Sequence, residues 1–171
     1  MKKIILIGFM GAGKTTVGKL LSREKGMQFV DTDERIVKEQ GRAIPDLFAQ
    51  EGEPYFRRLE TDLLKRMQED ISPCVISAGG GMPVREENRR LLRELGCVIY
   101  LTAAKETILE RIKNDGSRPM LKGGDLKQKV EQLMREREAL YRQAAHIEVR
   151  TDGRSVRHVV QIIEQETRRF G

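Results

Sequence analysis

Aromatic residues are scarce in this chain, which has five Phe, three Tyr and no Trp among 171 residues. Proteins that bind single-stranded nucleic acid commonly stack bases on aromatic side chains, and this composition offers no evident platform for that. The sequence contains no RNA- or DNA-binding motif either. Its net charge of +6 suits small polyanions such as nucleotides as well as nucleic acid. We therefore expect no nucleic-acid partner.

Long apolar runs and clustered cysteines are also missing. No apolar stretch approaches the roughly 20 residues that a helix needs to cross a bilayer, and no targeting segment is evident, so we expect a cytoplasmic protein without a membrane partner. Cys74 and Cys97 lie in apolar, β-like segments without a cluster of metal ligands around them. This favours buried free thiols over a disulfide or a metal site. The length suits one domain, residues 1–171.

Near its start the chain carries the motif GFMGAGKT, at residues 8–15. The basic and apolar residues before it also resemble the beginning of a secretory signal peptide. However, the apolar run Ile4–Ile7 is short for a signal core, no A-x-A-like cleavage site follows, and every fixed position of G-x-x-x-x-G-K-[ST] is matched. We therefore interpret the motif as a phosphate-binding loop.

Apolar segments alternate with helical patterns along the chain. Strands are predicted at 3–8, 27–30, 74–78, 97–101 and 146–150. Helices are predicted at 14–25, 33–40, 44–50, 53–69, 84–94, 104–113, 126–144 and 155–169. Near-continuous apolar strands separated by helices indicate an α/β protein with a parallel sheet covered on both faces.

Three of the predicted strands end in residues typical of binding sites. They are followed by the GFMGAGKT loop, by Asp31-Thr32-Asp33 and by Gly79-Gly80-Gly81. Ligands of such sheets bind beyond the carboxyl ends of the strands. We expect the three segments to converge on one cleft.

The loop and the helix after it form the nucleotide half of the expected site. Backbone N–H groups of a glycine-rich loop can surround phosphates, and a helix N-terminus adds partial positive charge. Lys14 is expected to reach the β- and γ-phosphates, and the Thr15 hydroxyl to bind Mg²⁺, with Asp31 in the metal shell through water. Asp31 and Asp33 could instead cap the following helix, or do both. The loop residues expected to bind ATP are Gly11, Ala12, Gly13, Lys14, Thr15 and Thr16.

Two arginines are marked out by helical geometry. In helix 53–69, Glu60 falls inside an apolar stripe, and an unpaired buried charge is costly, so we expect Arg57 to pair with it while Arg58 faces solvent. Arg137 is centred on the apolar face of helix 126–144. It is either a buried or snorkelling structural residue or a guanidinium that points at an anionic group of the acceptor.

The segment at about 114–125 is rich in glycine and contains Arg118. That composition suits a mobile lid with glycine hinges, on which an arginine can stabilise charge on a transferring phosphoryl group. A solvated loop arginine is the alternative interpretation.

Six segments together resemble the shikimate kinase family, in family order and over residues 4 to about 145. They are GFMGAGKT, Asp31-Thr32-Asp33, Phe56-Arg57-Arg58-Leu59-Glu60, Gly79-Gly80-Gly81, Arg118-Pro119-Met120-Leu121, and Leu133 to Arg137 with Tyr141. The resemblance implies ATP-dependent phosphorylation of the 3-hydroxyl of shikimate, a step toward chorismate and the aromatic amino acids. It also implies a three-layer P-loop kinase fold with strand order 2-3-1-4-5 and acceptor-binding helices at about 33–69.

The same resemblance implies roles for individual residues. Shikimate would be held by Asp33, Arg57, Gly79, Gly80, Gly81 and Arg137. The two arginines would bind its carboxylate, and Asp33 would contact ring hydroxyls and is the candidate base. Arg118 and Arg111 would reach the nucleotide, as would Arg154, whose segment matches only approximately. We expect a monomer with ATP, Mg²⁺ and shikimate as its ligands.

Rival hypotheses remain open. Another small-metabolite kinase of this fold, such as a gluconate kinase, or a nucleoside monophosphate kinase would share the phosphate loop. A non-catalytic nucleotide-gated module is disfavoured because Lys14, Thr15, Asp31, Asp33 and Arg118 are all present. A nucleic-acid ATPase would differ by having its turnover stimulated by nucleic acid rather than by shikimate.

Overall fold

The computed structural model describes residues 3–113 and 125–171 as an α/β protein built on one parallel sheet. Its strands are β1 (Lys3–Ile7), β2 (Gln28–Asp31), β3 (Cys74–Ser77), β4 (Cys97–Thr102) and β5 (Ile147–Arg150). They lie in the order β2-β3-β1-β4-β5, and every neighbouring pair is parallel. The expected fold class and strand order are confirmed.

Eight α-helices and one 3₁₀ turn connect the strands within the described residues. The helices are α1 (Lys14–Lys25), α2 (Thr32–Gln40), α3 (Ile44–Glu51), α4 (Glu53–Glu69), α5 (Glu86–Leu95), α6 (Lys105–Ile112), α7 (Leu126–Ala144) and α8 (Val156–Phe170). The 3₁₀ turn covers Met82–Val84. The helix predicted from residue 84 therefore begins at Glu86, because extended Arg85 (φ −80°, ψ 132°) separates it from the turn.

Alternating side chains of β1 divide the core between two layers of helices. Ile4 and Leu6 pack in a cluster with residues of α1 and α8, whereas Ile5 and Ile7 pack in a cluster with residues of α2 to α7. Strands buried on both faces explain the near-continuous apolar runs in the sequence. Cys74 and Cys97 are buried free thiols within this core, as expected.

The phosphate-binding loop leaves β1 at a point where the backbone passes very close to strand β4. The strand predicted to end at residue 8 ends at Ile7, since Gly8 turns away with φ 150°. A Cβ atom on Gly8 would lie 2.6 Å from the carbonyl oxygen of Leu101 in the neighbouring strand β4. Only glycine fits this position. In the described part of the chain, no helix has the length and apolar character needed to cross a membrane.

Candidate active site

The N-terminus of α1 and the loop before it form a cradle for an anion. Gly11 (φ 79°) and Gly13 (φ 95°) adopt backbone conformations that favour glycine. No side chain of the described residues caps the N-terminus of α1, and its first turn carries no acidic residue. The Nζ of Lys14 lies over the loop, where it donates to the carbonyl oxygens of Gly8 (2.8 Å) and Phe9 (3.0 Å). The N-terminus of the helix, with its dipole, and an ammonium thus meet at one point.

Asp31 both caps a helix and faces the loop. Its Oδ1 accepts from the backbone N–H groups of Asp33 (2.9 Å) and Glu34 (3.1 Å), which caps α2. Its Oδ2 accepts from the Thr15 hydroxyl at 3.4 Å. A hydroxyl and a carboxylate side by side are hard oxygen donors, and they suit a Mg²⁺ ion that retains most of its waters and binds phosphate oxygens. The alternatives of capping and binding are therefore compatible at Asp31.

Two carboxylates converge on the end of β3. A Cβ atom on Gly79 would lie 2.6 Å from Oδ1 of Asp33 and 3.1 Å from Oε2 of Glu60. The N–H group of Gly79 donates to the buried hydroxyl of Thr32 at 2.9 Å, which ties the end of β3 to the start of α2. Glycine at this position lets both carboxylates pack against the backbone, and Asp33 lines the cavity beside the phosphate loop.

Arg57 is held in place by two acidic partners. Its side chain is buried, and its Nη1 donates to Oε1 of Glu60 at 2.7 Å. Its Nε and Nη2 donate to Oε1 of Glu53 at 3.3 and 3.2 Å. A side chain on Gly81 would overlap the guanidinium. The expected pair with Glu60 is present, while Glu53, at the i,i+4 spacing that favours ion pairs, was missed in the sequence.

Glu60 is a buried carboxyl group with a raised pKa. Its side chain is fully buried, and within the described residues Oε2 has no hydrogen-bond partner. Burial raises the pKa of this carboxyl to about 7, although the charge and hydrogen bond of Arg57 act to lower it. The negative charge of Asp33 also raises the pKa. Sequence periodicity placed Glu60 in the interior but gave no indication that its Oε2 would lack a hydrogen-bond partner among the described residues.

Arg137 lies inside the protein, as its position on the helix face predicts. It is 5% exposed, and its guanidinium carbon lies 6.0 Å from the centroid of the Phe9 ring. A Cβ atom on Gly80 would be 3.7 Å from its Nη1. In the described part of the chain no carboxylate lies within salt-bridge distance of Arg137, whereas Arg135 on the same helix is exposed. The guanidinium is therefore available to an anionic ligand.

Two cavities lie on either side of the phosphate loop. The first, of about 200 Å³, brings together the loop, Asp31, Asp33, Gly79 and Gly80. This is the expected convergence of three strand ends. The second, of about 370 Å³, is lined by Arg111 and Arg154 as well as by the back of the loop. Nη1 of Arg111 donates to the carbonyl oxygen of Gly11 at 2.7 Å.

Some predicted features fall outside what the structure covers. Arg118 lies outside the described residues, as does the expected lid at about 114–125 except for its last residue, Asp125. Asp125 is the N-cap of α7, where its side chain accepts from two backbone N–H groups. The role of Arg118 therefore stays a prediction.

A family model and individual relatives all point to the same protein family. The family model described as "Shikimate kinase" matches residues 10–168. The chain is 42% identical over 160 residues to a shikimate kinase of Persephonella marina, covering 94% of this chain and 95% of the relative. It is 40% identical over 166 residues to a shikimate kinase of Bacillus anthracis, covering 97% and 98%.

Solved structures agree with this match. A shikimate kinase from Acinetobacter baumannii, in complex with shikimate, superposes with a TM-score of 0.93 at 37% identity, over 98% of this chain and 93% of that one. A gluconokinase from Sinorhizobium meliloti reaches a TM-score of 0.59 at 14% identity, over 98% and 92%. The second likeness shows a shared fold alone.

Proposed function

Because the chain belongs to the shikimate kinase family, we propose how its own residues carry out that family's reaction. The reaction transfers the γ-phosphoryl group of ATP to the 3-hydroxyl of shikimate and gives shikimate 3-phosphate and ADP, a step toward chorismate and the aromatic amino acids. One observation carries the residue assignment. Two buried guanidinium groups and two carboxylates surround the glycines at the end of β3, beside the phosphate loop.

The acceptor is held by opposite charges at its two ends. Arg57 and Arg137 bind the carboxylate of shikimate, since planar guanidinium groups match carboxylates in bidentate geometry. Asp33 binds the ring hydroxyls. Because Gly79, Gly80 and Gly81 have no side chains, the ring of shikimate fits between these groups. This arrangement of charged side chains suits a hydroxy acid better than a nucleoside monophosphate. A nucleoside monophosphate requires arginines for its phosphate and a pocket for its base.

The nucleotide occupies the two cavities around the loop. Gly11, Gly13 and Thr16 contribute backbone N–H groups to the phosphates, Ala12 lies between them in the same loop, and Lys14 binds the β- and γ-phosphates. Arg111 and Arg154, which line the second cavity, contact the adenosine side of ATP. Thr15 would hold Mg²⁺ directly and Asp31 would hold it through water. When bound, the metal neutralises charge on the phosphates.

Positioning and charge stabilisation account for the transfer step. The 3-hydroxyl oxygen attacks the γ-phosphorus, the bond to the β-phosphate oxygen breaks, and Asp33 accepts the hydroxyl proton. Lys14 stabilises the developing charge, and Arg118 adds a second cation from the lid at about 114–125. We further propose a cytoplasmic monomer, a single domain over residues 1–171, whose acceptor-binding helices lie at about 33–69.

A coupled ADP-release assay with shikimate, quinate, gluconate and AMP as alternative acceptors tests this proposal. Shikimate should support turnover far above the other three, because AMP lacks a carboxylate, gluconate lacks the ring, and quinate has an additional hydroxyl on the carbon that carries the carboxylate. Preferred turnover with gluconate or AMP would contradict the acceptor assignment. ATP hydrolysis that depends on DNA or RNA would replace it with a nucleic-acid ATPase.

A further inference from the structure

A buried amide joins helix α4 to the turn that follows the acceptor-site glycines. Asn88, on α5, is fully buried, and its Oδ1 accepts from the hydroxyl of Thr61 at 2.7 Å. Its Nδ2 donates to the carbonyl oxygen of Met82 at 3.0 Å. Thr61 lies on α4, and Met82 directly follows Gly81. One side chain thus connects two segments that carry residues proposed to bind the acceptor.

The orientation of this amide follows from its neighbours. A carbonyl oxygen only accepts, so the NH₂ group of Asn88 faces Met82 and its oxygen faces Thr61. The Thr61 oxygen also accepts from Nη1 of Arg85 at 3.0 Å. The same hydroxyl lies 3.0 Å from the carbonyl oxygen of Arg57, one helical turn earlier. Both ends of the amide therefore have partners, and the network begins one turn from a proposed acceptor-binding arginine.

The network acts where the glycine backbone meets the guanidinium of Arg57. A side chain on Gly81 would overlap that guanidinium, so the two groups lie against each other. The N–H group of Met82 donates to the carbonyl oxygen of Gly79 at 3.0 Å, which closes the turn around the glycines. Because Asn88 holds Met82 on one side and α4 on the other, it sets the spacing between this turn and Arg57.

Asn88 occupies a position where packing alone would favour an apolar residue. Leu91 and Leu92, three and four residues later, lie on the same buried face of α5. Burying an amide costs free energy unless its groups are hydrogen-bonded, and an apolar side chain would avoid that cost. A satisfied polar network, however, specifies one geometry. Binding sites need such precision, because their groups must be held to within about 0.5 Å.

We propose that Asn88 is a positioning residue for the acceptor, which it serves by holding the turn at 79–82 at a fixed distance from Arg57. The inference rests on the proposed function, in which Arg57 and the three glycines bind shikimate. Asn88 is fully buried, so it acts through these groups and not by contact with the acceptor. The competing view is that Asn88 only joins α5 to α4 in the core.

Two variants of Thr61 separate the hydrogen bond from packing. Thr61→Val removes the hydroxyl and keeps the branched shape, whereas Thr61→Ser keeps the hydroxyl and removes a methyl group. Thr61→Val should raise the KM and the calorimetric Kd for shikimate by about tenfold, the scale of one hydrogen bond. Thr61→Ser should retain the wild-type values. The KM for ATP should be unchanged in both, because the phosphate loop lies outside the network.

Thr167→Val is the matched control for the loss of a buried hydroxyl. Thr167 is buried on the other face of the sheet, where its hydroxyl donates to the carbonyl oxygen of Glu164 within α8 at 3.1 Å. This variant loses one hydrogen bond in the core but leaves the network of Asn88 intact. Its Kd for shikimate should equal that of the wild type.

A third variant tests the amide itself. Asn88→Leu removes the amide and approximately keeps its volume, and it should raise the Kd for shikimate at least as much as Thr61→Val. Adding Thr61→Val to Asn88→Leu should have little further effect, because the hydrogen bond between the two side chains is already absent. Full additivity of the two changes would contradict the proposal.

The remaining outcomes also decide the matter. An unchanged Kd for shikimate in Thr61→Val, an equal or larger loss in Thr61→Ser, or an equal loss for ATP and shikimate would each show that the network serves the core. If Asn88→Leu fails to fold, the two Thr61 variants decide alone. If the wild-type protein neither binds nor phosphorylates shikimate, the proposed function itself fails. If the wild type is active and Thr61→Val matches it, only the positioning role fails.

Discussion

Nη1 of Arg57 lies 2.7 Å from Oε1 of Glu60 inside helix α4, while the second oxygen of that carboxylate has no hydrogen-bond partner among the described residues. One oxygen of this buried carboxylate thus lies against Gly79 at the end of β3. Retaining such a group costs stability, because burial disfavours its charged form. That cost is tolerable where the group serves a ligand. The raised pKa of Glu60 also predicts how the stability of the protein changes with pH.

Glu60 should make the protein less stable as the pH rises. Its pKa is raised to about 7 in the folded state, against about 4.3 in an unfolded chain, so the folded protein binds the proton more tightly. Its favourable contribution is present at low pH and is lost as the pH rises through 7. Relative to Glu60→Gln, which keeps an oxygen for Arg57 but does not titrate, the wild type should lose about 2–3 kcal/mol between pH 5 and pH 8. Denaturant unfolding of both proteins measures this, and a constant difference would contradict it.

His146 should produce the opposite dependence. Its backbone N–H donates to the carbonyl oxygen of Val98 (2.8 Å), and its Nδ1 accepts from the N–H of Val98 (3.0 Å). Burial, and then the charge of Arg93, lower the pKa of this imidazole. The unfolded chain therefore takes up the proton first, and stability is lost as the pH falls below about 6.5.

The matched variant for that test is His146→Asn, whose side-chain oxygen can accept from Val98 without titrating. The wild type should be progressively destabilised relative to this variant between pH 7 and pH 5. Parallel stability curves for the two proteins would show that the folded protein does not hold His146 neutral.

Lys14→Ala should lower kcat by about a thousandfold or more, because charge stabilisation of the transferred phosphoryl group is the main catalytic device in such sites. Lys19→Ala removes an equal charge from an exposed position of the same helix. That control should leave kcat within about twofold. ADP release at saturating substrates checks both variants. Near-normal kcat in Lys14→Ala would overturn the assignment of the phosphate loop.

Arg118→Ala should lower kcat by roughly a thousandfold if the residue acts as an arginine finger. The affinity for ATP should change much less, since an arginine supplied by a closing lid is used mainly in the transition state. Separate measurement of kcat and of the ATP dissociation constant distinguishes this from simple nucleotide binding. A variant with normal kcat would reduce the segment at 114–125 to a connector.

The periodicity of the sequence was sufficient to predict whether a side chain is buried or exposed where this depends only on the face of its own helix. The 3.6-residue repeat placed Arg137 inside and Arg135 and Arg58 outside, and the structure agrees. Arg57, at the edge of its apolar stripe, was predicted from the need of Glu60 for a partner, and that pair is present. The strand order came from family resemblance, because parallel strands paired across long crossovers leave no local pattern that fixes their neighbours.

The convergence of three strand ends was predicted, whereas individual atomic contacts between distant segments were not. The hydrogen bond from Tyr141 to Gly80 joins residues 61 positions apart, and the sequence marks Tyr141 only as an apolar position of its helix and as part of a segment that resembles the family. The end of β1 depends on the approach of Gly8 to Leu101 in another strand. Both features arise from packing of the completed fold.

The central claim is that buried guanidinium groups at Arg137 and Arg57 hold the carboxylate of the acceptor. Its most direct test compares calorimetric Kd values for shikimate and its methyl ester, which lacks the negative charge, in wild type, Arg137→Ala and Arg135→Ala. The wild type and Arg135→Ala should prefer shikimate by about 30-fold or more, the scale of a desolvated charge pair, and Arg137→Ala should lose most of that preference. Equal preference for the acid in all three proteins would contradict the claim.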